Sequence, residues 1–85
     1  MMKLDEVKEF LRIDHDAEDG YLSVLMILAK EMCENYLRAP IPRTKIQSIY
    51  QAQLIIISHF YEHRDGTPIP AVVYRLLDAY RNEVF

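Results

Sequence analysis

The sequence predicts an all-α fold, a small bundle of about four helices. Apolar residues recur every three or four positions in four segments, proline or turn residues separate those segments, and no alternating strand pattern of useful length appears. With 85 residues, of which 51% are hydrophobic and 27% charged, the chain has the size and composition of a single globular domain, 1–85. The predicted helices span about 4–13, 17–38, 44–64 and 70–83.

Apolar stripes and acidic starts indicate the first two helices. The stripe of the first helix consists of Leu4, Val7, Phe10 and Leu11. The stripe of the second, longer helix consists of Leu22, Leu25, Met26, Ala29, Cys33, Tyr36 and Leu37. Asp16 is expected to cap the start of the second helix, with Asp19 three positions later in a near-capping-box arrangement. Pro40 and Pro42 end this helix because the residue before a proline disfavours helical geometry.

The third helix carries apolar side chains on more than one side. It begins at a T-x-x-Q capping box formed by Thr44 and Gln47. Its main stripe consists of Ile46, Ile49, Tyr50, Gln53, Ile57, Phe60 and Tyr61. Because Ile55 and Ile56 lie outside this stripe, we expect either that this is the central helix of the bundle or that its second side meets another subunit.

The fourth helix follows a turn. Asp65 and Gly66 have turn chemistry, and Pro70 suits the first helical position, where its missing N–H needs no partner. The predicted apolar face of this helix consists of Val73, Leu76, Leu77, Tyr80 and Val84.

Composition and charge argue against several classes of protein. Cys33 is the only cysteine, which excludes an internal disulfide and a cysteine-based zinc site within one chain. The formal net charge is −3, whereas a nucleic-acid binder usually shows the opposite sign or a dense basic stripe. The longest apolar run, 24–29, is too short to span a bilayer, so no membrane partner is expected.

The segment HFYEHR contains the pattern H-x-x-E-H, which is the zinc signature of one class of metallopeptidases. His59 and His63 are the pair that would bind a metal, with Glu62 as the general base. Catalytic zinc takes three protein ligands, and no third ligand is evident in the sequence after His63. The favoured interpretation is two partly exposed histidines near a helix end, with no metal and no cofactor, and Arg64 folded back onto a carbonyl or an acid.

Two charge clusters lie at opposite ends of the second helix. The acidic cluster consists of Asp14, Asp16, Glu18 and Asp19, and the basic cluster of Arg38, Arg43 and Lys45. A head-to-tail contact between copies of the chain would pair the two clusters, and it closes into a ring if the rotation permits. The alternative is that each cluster is simply a solvated segment. The candidate contact residues are these seven together with His59 and Arg64.

Three phrases of the sequence follow one another in an order that is typical of one protein family. The first, K-x-x-L-R-I-D followed by an acidic helix start, comprises Lys8, Leu11, Arg12, Ile13, Asp14, Asp16, Glu18, Asp19 and Leu22. The second comprises His59, Phe60, Tyr61, Glu62 and Arg64, and the third Pro70, Leu76, Leu77, Tyr80 and Arg81. Together they cover nearly the whole chain, which in these phrases resembles the head-tail connector (adaptor) proteins of tailed bacteriophages.

This resemblance implies a structural protein of the virion rather than an enzyme. Such proteins are made in the bacterial host cytoplasm and form a homo-oligomeric ring beneath the portal protein at the capsid vertex. The ring extends the DNA channel and receives the next stopper or tail component, while DNA passes through the lumen without sequence-specific binding. An acidic chain fits this role because it does not hold phosphates strongly.

Two other functions remain open from the sequence. One is a small metal-dependent hydrolase that uses His59, Glu62 and His63. The other is a helical DNA-binding regulator in which the third helix reads bases. The apolar run 54–57 argues against the regulator, because a reading helix needs an exposed polar face.

Overall fold

The structure, a computed structural model, describes residues 2–81 and contains four helices in that range. They are α1 (Leu4–Leu11), α2 (Asp19–Leu37), α3 (Gln47–Glu62) and α4 (Val72–Asp78). The part of the chain that is described contains no strand, and the all-α prediction is confirmed. Positions 82 and 83 of the fourth predicted helix, and Val84 of its apolar face, lie outside the described residues.

The antiparallel pair α2 and α3 forms the centre of the fold. The start of α2 meets the end of α3, where the Tyr21 hydroxyl donates to the Phe60 carbonyl oxygen at 3.4 Å. α1 and α4 each pack against both members of this pair but do not contact one another. α3 contacts the other three helices, which confirms the prediction of a central helix, and it shares this position with α2, which also contacts all the others.

The core consists of residues from all four helices. The buried apolar side chains are Val7, Leu22, Leu25, Ala29, Cys33, Leu37, Ile49, Ala52, Leu54, Ile56, Ile57, Val73 and Leu77. The predicted stripe of α2 is therefore confirmed, with Met26 and Tyr36 partly buried at its margins. The prediction for Phe10 is wrong: this side chain is 42% exposed, because α1 buries mainly Val7 against the α2–α3 pair.

Each helix is shorter than predicted, and the ends show why. Arg12 and Arg38 adopt the left-handed conformation, with φ of 59° and 58°, and so end α1 and α2. α2 begins at Asp19 rather than at 17, because the carboxylate of Asp16 binds Lys8 instead of capping the helix. Asp16 contributes only its carbonyl oxygen, which accepts a bond from the N–H of Asp19 at 3.3 Å.

The predicted capping box of α3 is wrong. The backbone is extended at Ile46, which precedes the helix, and neither Thr44 nor Gln47 makes a capping hydrogen bond. The Ile46 side chain packs against the core, which fixes the chain direction before the helix begins. Pro70 likewise lies just before α4, where its carbonyl accepts from the Val73 N–H at 3.1 Å.

Among the described residues, no helix has both the length and the apolar character needed to cross a bilayer.

Candidate assembly surface

Three tyrosine hydroxyls donate hydrogen bonds to carboxylates more than 40 residues away in the sequence. The pairs are Tyr36 with Asp78, Tyr50 with Glu6, and Tyr61 with Glu18. The first pair joins α4 to α2, the second joins α1 to α3, and the third joins the segment before α2 to the end of α3. These tyrosines therefore fix the outer elements of the bundle to the central pair.

The bonds raise the pKa values of the three tyrosines, and one bond also lowers the pKa of its carboxylate. The hydroxyl of Tyr50, together with the backbone N–H of Lys3, lowers the pKa of the Glu6 carboxyl. Burial and the bond to Glu6 raise the pKa of Tyr50 to about 12. The pKa values of Tyr36 and Tyr61 are raised mainly by their bonds to Asp78 and Glu18. The folded state thus favours the neutral form of the three phenols and, in the Tyr50 pair, the ionised form of Glu6.

Most of the acidic cluster is engaged within the chain. Lys8 Nζ lies 2.7 Å from Asp16 Oδ1 and 2.9 Å from Asp19 Oδ1, so it joins α1 to the start of α2. The hydrogen bond from Lys8 lowers the pKa of Asp16, and the same contacts raise the pKa of Lys8. Asp14 is exposed and forms no ion pair within residues 2–81.

Glu18 and Arg64 are brought together at the other side of the same end of the bundle. Glu18 Oε1 accepts the Tyr61 hydroxyl at 3.0 Å, and Glu18 Oε2 lies 3.7 Å from Arg64 Nη2. The Arg64 guanidinium also stacks 4.5 Å from the centre of the Tyr21 ring. Arg64 folds back onto an acid, as predicted, and this acid is Glu18, the residue just before α2.

The structure corrects the prediction for His59. This side chain is 7% exposed rather than partly exposed, and its Nε2 lies 2.7 Å from the Thr67 carbonyl oxygen. Because a carbonyl only accepts, His59 donates from Nε2 and holds the turn after α3. His63 is exposed, with its ring centroid 5.0 Å from that of His59. Within residues 2–81, no three His, Cys, Asp or Glu side chains are grouped to hold a metal ion.

The basic cluster is exposed along the end of α2 and the link to α3. Arg38 occupies the left-handed position that ends α2. Lys45 Nζ lies 4.0 Å from the centre of the Tyr50 ring. Arg43 is exposed in the link. None of the three forms an ion pair within the described range, so their charges are available to a partner.

An open groove of about 730 Å³ lies between the N-terminal end of α1, the middle of α2, the link and the start of α3. Its lining includes apolar side chains such as Met26, Ile27, Ile41 and Ile49. Lys30, Arg43 and Lys45 also line the groove and carry positive charge. Its two carboxylates are already used: Glu6 binds Tyr50, and Glu34 accepts the N–H of Ile41 at 2.9 Å. We name this surface the basic groove.

The sequence interpretation did not include Ile27 and Lys30. Ile27 is 61% exposed, although its side chain is among the most apolar, and Val24 on the same helix is 59% exposed. Both residues lie outside the main apolar stripe of α2. Apolar residues outside the stripe could have indicated a second contact surface on this helix. Ile27 adjoins the other apolar side chains of the groove, and a contiguous exposed apolar patch is typical of a contact surface, whereas Val24 does not line the groove.

The basic groove and α4 lie on opposite sides of α2. Glu34 lines the groove, whereas Tyr36 contacts α4 through Asp78 and Tyr74. Residues two positions apart on a helix point about 200° away from each other. The molecule therefore presents two unlike flanks, and the α4 flank exposes Tyr74 and Tyr80.

The comparisons with known proteins show the family of the chain. No curated protein and no solved structure matches the sequence. A family model described as phage gp6-like head-tail connector protein matches residues 1–81. Since this match covers nearly the whole chain, the protein belongs to the family of phage gp6-like head-tail connector proteins, which are structural components of the virion.

Proposed function

We propose that this connector assembles as a homo-oligomeric ring beneath the phage portal protein, extends the DNA channel and docks the next stopper or tail protein. The observation that carries this proposal is the family match over residues 1–81. The chain acts here by binding and not by catalysis, as a single helical domain over 1–85. DNA passes through the lumen without sequence-specific contacts, and the protein is made in the host cytoplasm before it enters the virion.

Two unlike flanks on one small bundle support ring formation. A contact between different patches of identical subunits is heterologous, and such contacts generate rings when the rotation closes. The subunit has exposed cations and the basic groove on one side of α2 and exposed aromatic side chains on the other. These are the two surfaces that a ring subunit needs for its two neighbours.

The charge of the chain supports the role as a conduit. The formal net charge is −3, and affinity for DNA depends chiefly on cations that neutralise phosphates. A channel that must let DNA pass benefits from weak retention. Asp14, Arg38, Arg43 and Lys45 are the exposed members of the two predicted clusters that remain for contacts between subunits, because Asp16, Glu18 and Asp19 are engaged in ion pairs within the chain.

Electron microscopy of the purified protein mixed with its portal tests the proposal. We expect a ring added to the portal face that leads to the tail. Portal particles that never acquire density from this protein, under conditions in which complete virions contain it, would contradict the proposal.

A paired variant tests the charged contact. Reversal of Arg38 and Arg43 to Glu is expected to weaken assembly on the portal, as measured by light scattering. The control is Gln51→Glu, which adds an acid at an exposed position of α3 that does not line the basic groove. Equal assembly by both variants would show that the basic cluster is not part of the contact between subunits.

A further inference from the structure

We infer that the basic groove binds the segment that follows α4 in a neighbouring copy of the chain. The proposed ligand is Tyr80 together with Glu83, Val84 and Phe85; the last three lie outside the described residues. The inference rests on the proposed ring, since it names the surface by which one ring subunit holds the next.

The lining of the groove defines the chemistry of its ligand. A volume of about 730 Å³ lies within the range of roughly 300–1,000 Å³ found for binding pockets. The apolar side chains of Met26, Ile27 and Ile41 favour an apolar ligand, while the cations at its edge favour a negative charge beside it. The ligand is therefore an apolar peptide segment with an acidic residue.

The segment after α4 has this composition. Tyr80 is 45% exposed at the end of α4. Arg81, the next residue, is engaged within its own chain, where its guanidinium stacks on the Tyr36 ring. The sequence then supplies Asn82 and one acid, Glu83, followed by the apolar residues Val84 and Phe85. The exposed face of α4 itself is a poorer ligand, because Arg75 has the same charge sign as Lys30, Arg43 and Lys45 of the groove.

The position of the groove indicates that the ligand comes from another copy. α4 packs on the side of α2 that carries Tyr36, and the Arg81 guanidinium stacks 4.7 Å from the Tyr36 ring. The groove opens on the side that carries Glu34 and Lys30. A segment that leaves one flank and binds the opposite flank of the next subunit makes a heterologous contact, which is the kind that builds rings.

The test measures peptide binding directly. A fluorescently labelled peptide of residues 79–85 is titrated with the full chain, at concentrations at which the chain itself does not assemble, and fluorescence anisotropy is recorded. We expect saturable binding that weakens as salt is added, because part of the attraction is between exposed charges. A Glu83→Lys peptide is expected to bind about tenfold more weakly.

A matched pair of protein variants locates the site. Ile27→Asp places an acid in the groove and is expected to weaken peptide binding about tenfold or more. Val24→Asp is the control: it introduces the same charge at an equally exposed apolar position of α2 that does not line the groove. Absence of saturable binding, or equal losses in the two variants, overturns the inference.

The peptide experiment and the test of the proposed function can fail independently of each other. Peptide binding to the groove requires no ring, so peptide binding that Ile27→Asp weakens supports the inference even if no ring forms on the portal. Rings that form normally while the peptide fails to bind overturn the inference and leave the connector function intact. A third outcome is that Ile27→Asp prevents ring formation although the peptide does not bind the parent chain. The groove would then contact a different part of the neighbouring subunit, which also overturns the inference.

Discussion

The hydroxyl of Tyr50 donates to Glu6 Oε2 at 2.5 Å, and this bond joins α1 to the start of α3. Glu6 also accepts the backbone N–H of Lys3 at 3.1 Å, so one carboxylate both caps α1 and binds it to the central helix. Two further tyrosines make equivalent bonds to acids of distant segments. Each outer element is therefore held to the central pair by a hydrogen bond from a tyrosine hydroxyl to a carboxylate.

Glu6 makes the stability of the fold depend on pH. Its pKa in the folded state is lowered, chiefly by the Tyr50 hydroxyl, from an ordinary value of 4.5. A lowered folded-state pKa gives a stabilisation that is complete above the unfolded value and is lost as the pH falls through the folded value. We expect the free energy of unfolding, measured in urea, to fall below about pH 4.5, and Glu6→Gln to flatten this dependence.

The matched control for Glu6→Gln is Asp5→Asn, because Asp5 is an exposed acid of the same helix that makes no side-chain hydrogen bond within the described range. Asp5→Asn should leave the pH dependence between about pH 3 and 5 close to that of the parent chain. If both variants flattened the curve equally, the effect would come from general charge on α1 and not from the bond to Tyr50.

Arg12 ends α1 in a conformation that suits glycine better than arginine. Its φ is 59°, and a residue with a side chain pays about 1–2 kcal/mol for the left-handed conformation. Glycine avoids this cost but loses about 0.5–1 kcal/mol through the greater entropy of the unfolded chain. Arg12→Gly is therefore expected to stabilise the isolated protein by up to about 1 kcal/mol.

Thermal unfolding measures the effect of Arg12→Gly. Arg75→Gly is the comparison, because Arg75 is an exposed arginine within α4, where glycine should destabilise by about 1 kcal/mol. The two substitutions remove the same side chain and should change the melting temperature in opposite directions. Changes of the same sign would show that loss of the arginine, and not the backbone conformation, determines the outcome.

The periodicity of the sequence predicted the four helices and most of the core, because burial of one side of a helix imposes its own spacing. It did not predict which carboxylate meets which tyrosine. Glu6 and Tyr50, for example, are distant in the sequence, and only the packing of α1 on α3 brings them together. The helix ends were displaced for a similar reason: Asp16 resembles a cap locally, but Lys8 of another helix binds its carboxylate.

The sequence was also insufficient to predict the basic groove, for the same reason. The sequence identified the basic residues of the link, but the groove beside them is formed by α1, α2 and α3 together. Lys30 and Ile27 join Arg43 only after these elements have packed. The spacing of apolar residues along one helix therefore indicates that the helix has a second contact surface. The residues from other elements that complete this surface depend on tertiary structure.

The second side of α3 was expected either to be core or to meet another subunit, and Ile56 distinguishes these alternatives. Its side chain is 1% exposed within a single chain. Ile56→Ala should therefore lower the free energy of unfolding of the isolated protein by about 2–5 kcal/mol, because it leaves a cavity in the core. Urea denaturation measures the loss, and Ile55→Ala, at a partly buried neighbour, should cost less. A larger loss for Ile55→Ala would contradict this assignment of the core.

The two histidines of the H-x-x-E-H segment are predicted to respond differently to substitution. His59 is buried and bound to the Thr67 carbonyl, so His59→Ala leaves that carbonyl without its donor and opens a cavity. We expect a loss of about 1–3 kcal/mol in the free energy of unfolding. His63 is exposed, and His63→Ala should change the stability by less than about 0.5 kcal/mol. If the two histidines instead shared a metal site, both substitutions would lower the stability by similar amounts, and the losses would depend on added zinc. Urea denaturation with and without zinc therefore distinguishes the structural role of His59 from a metal-binding role.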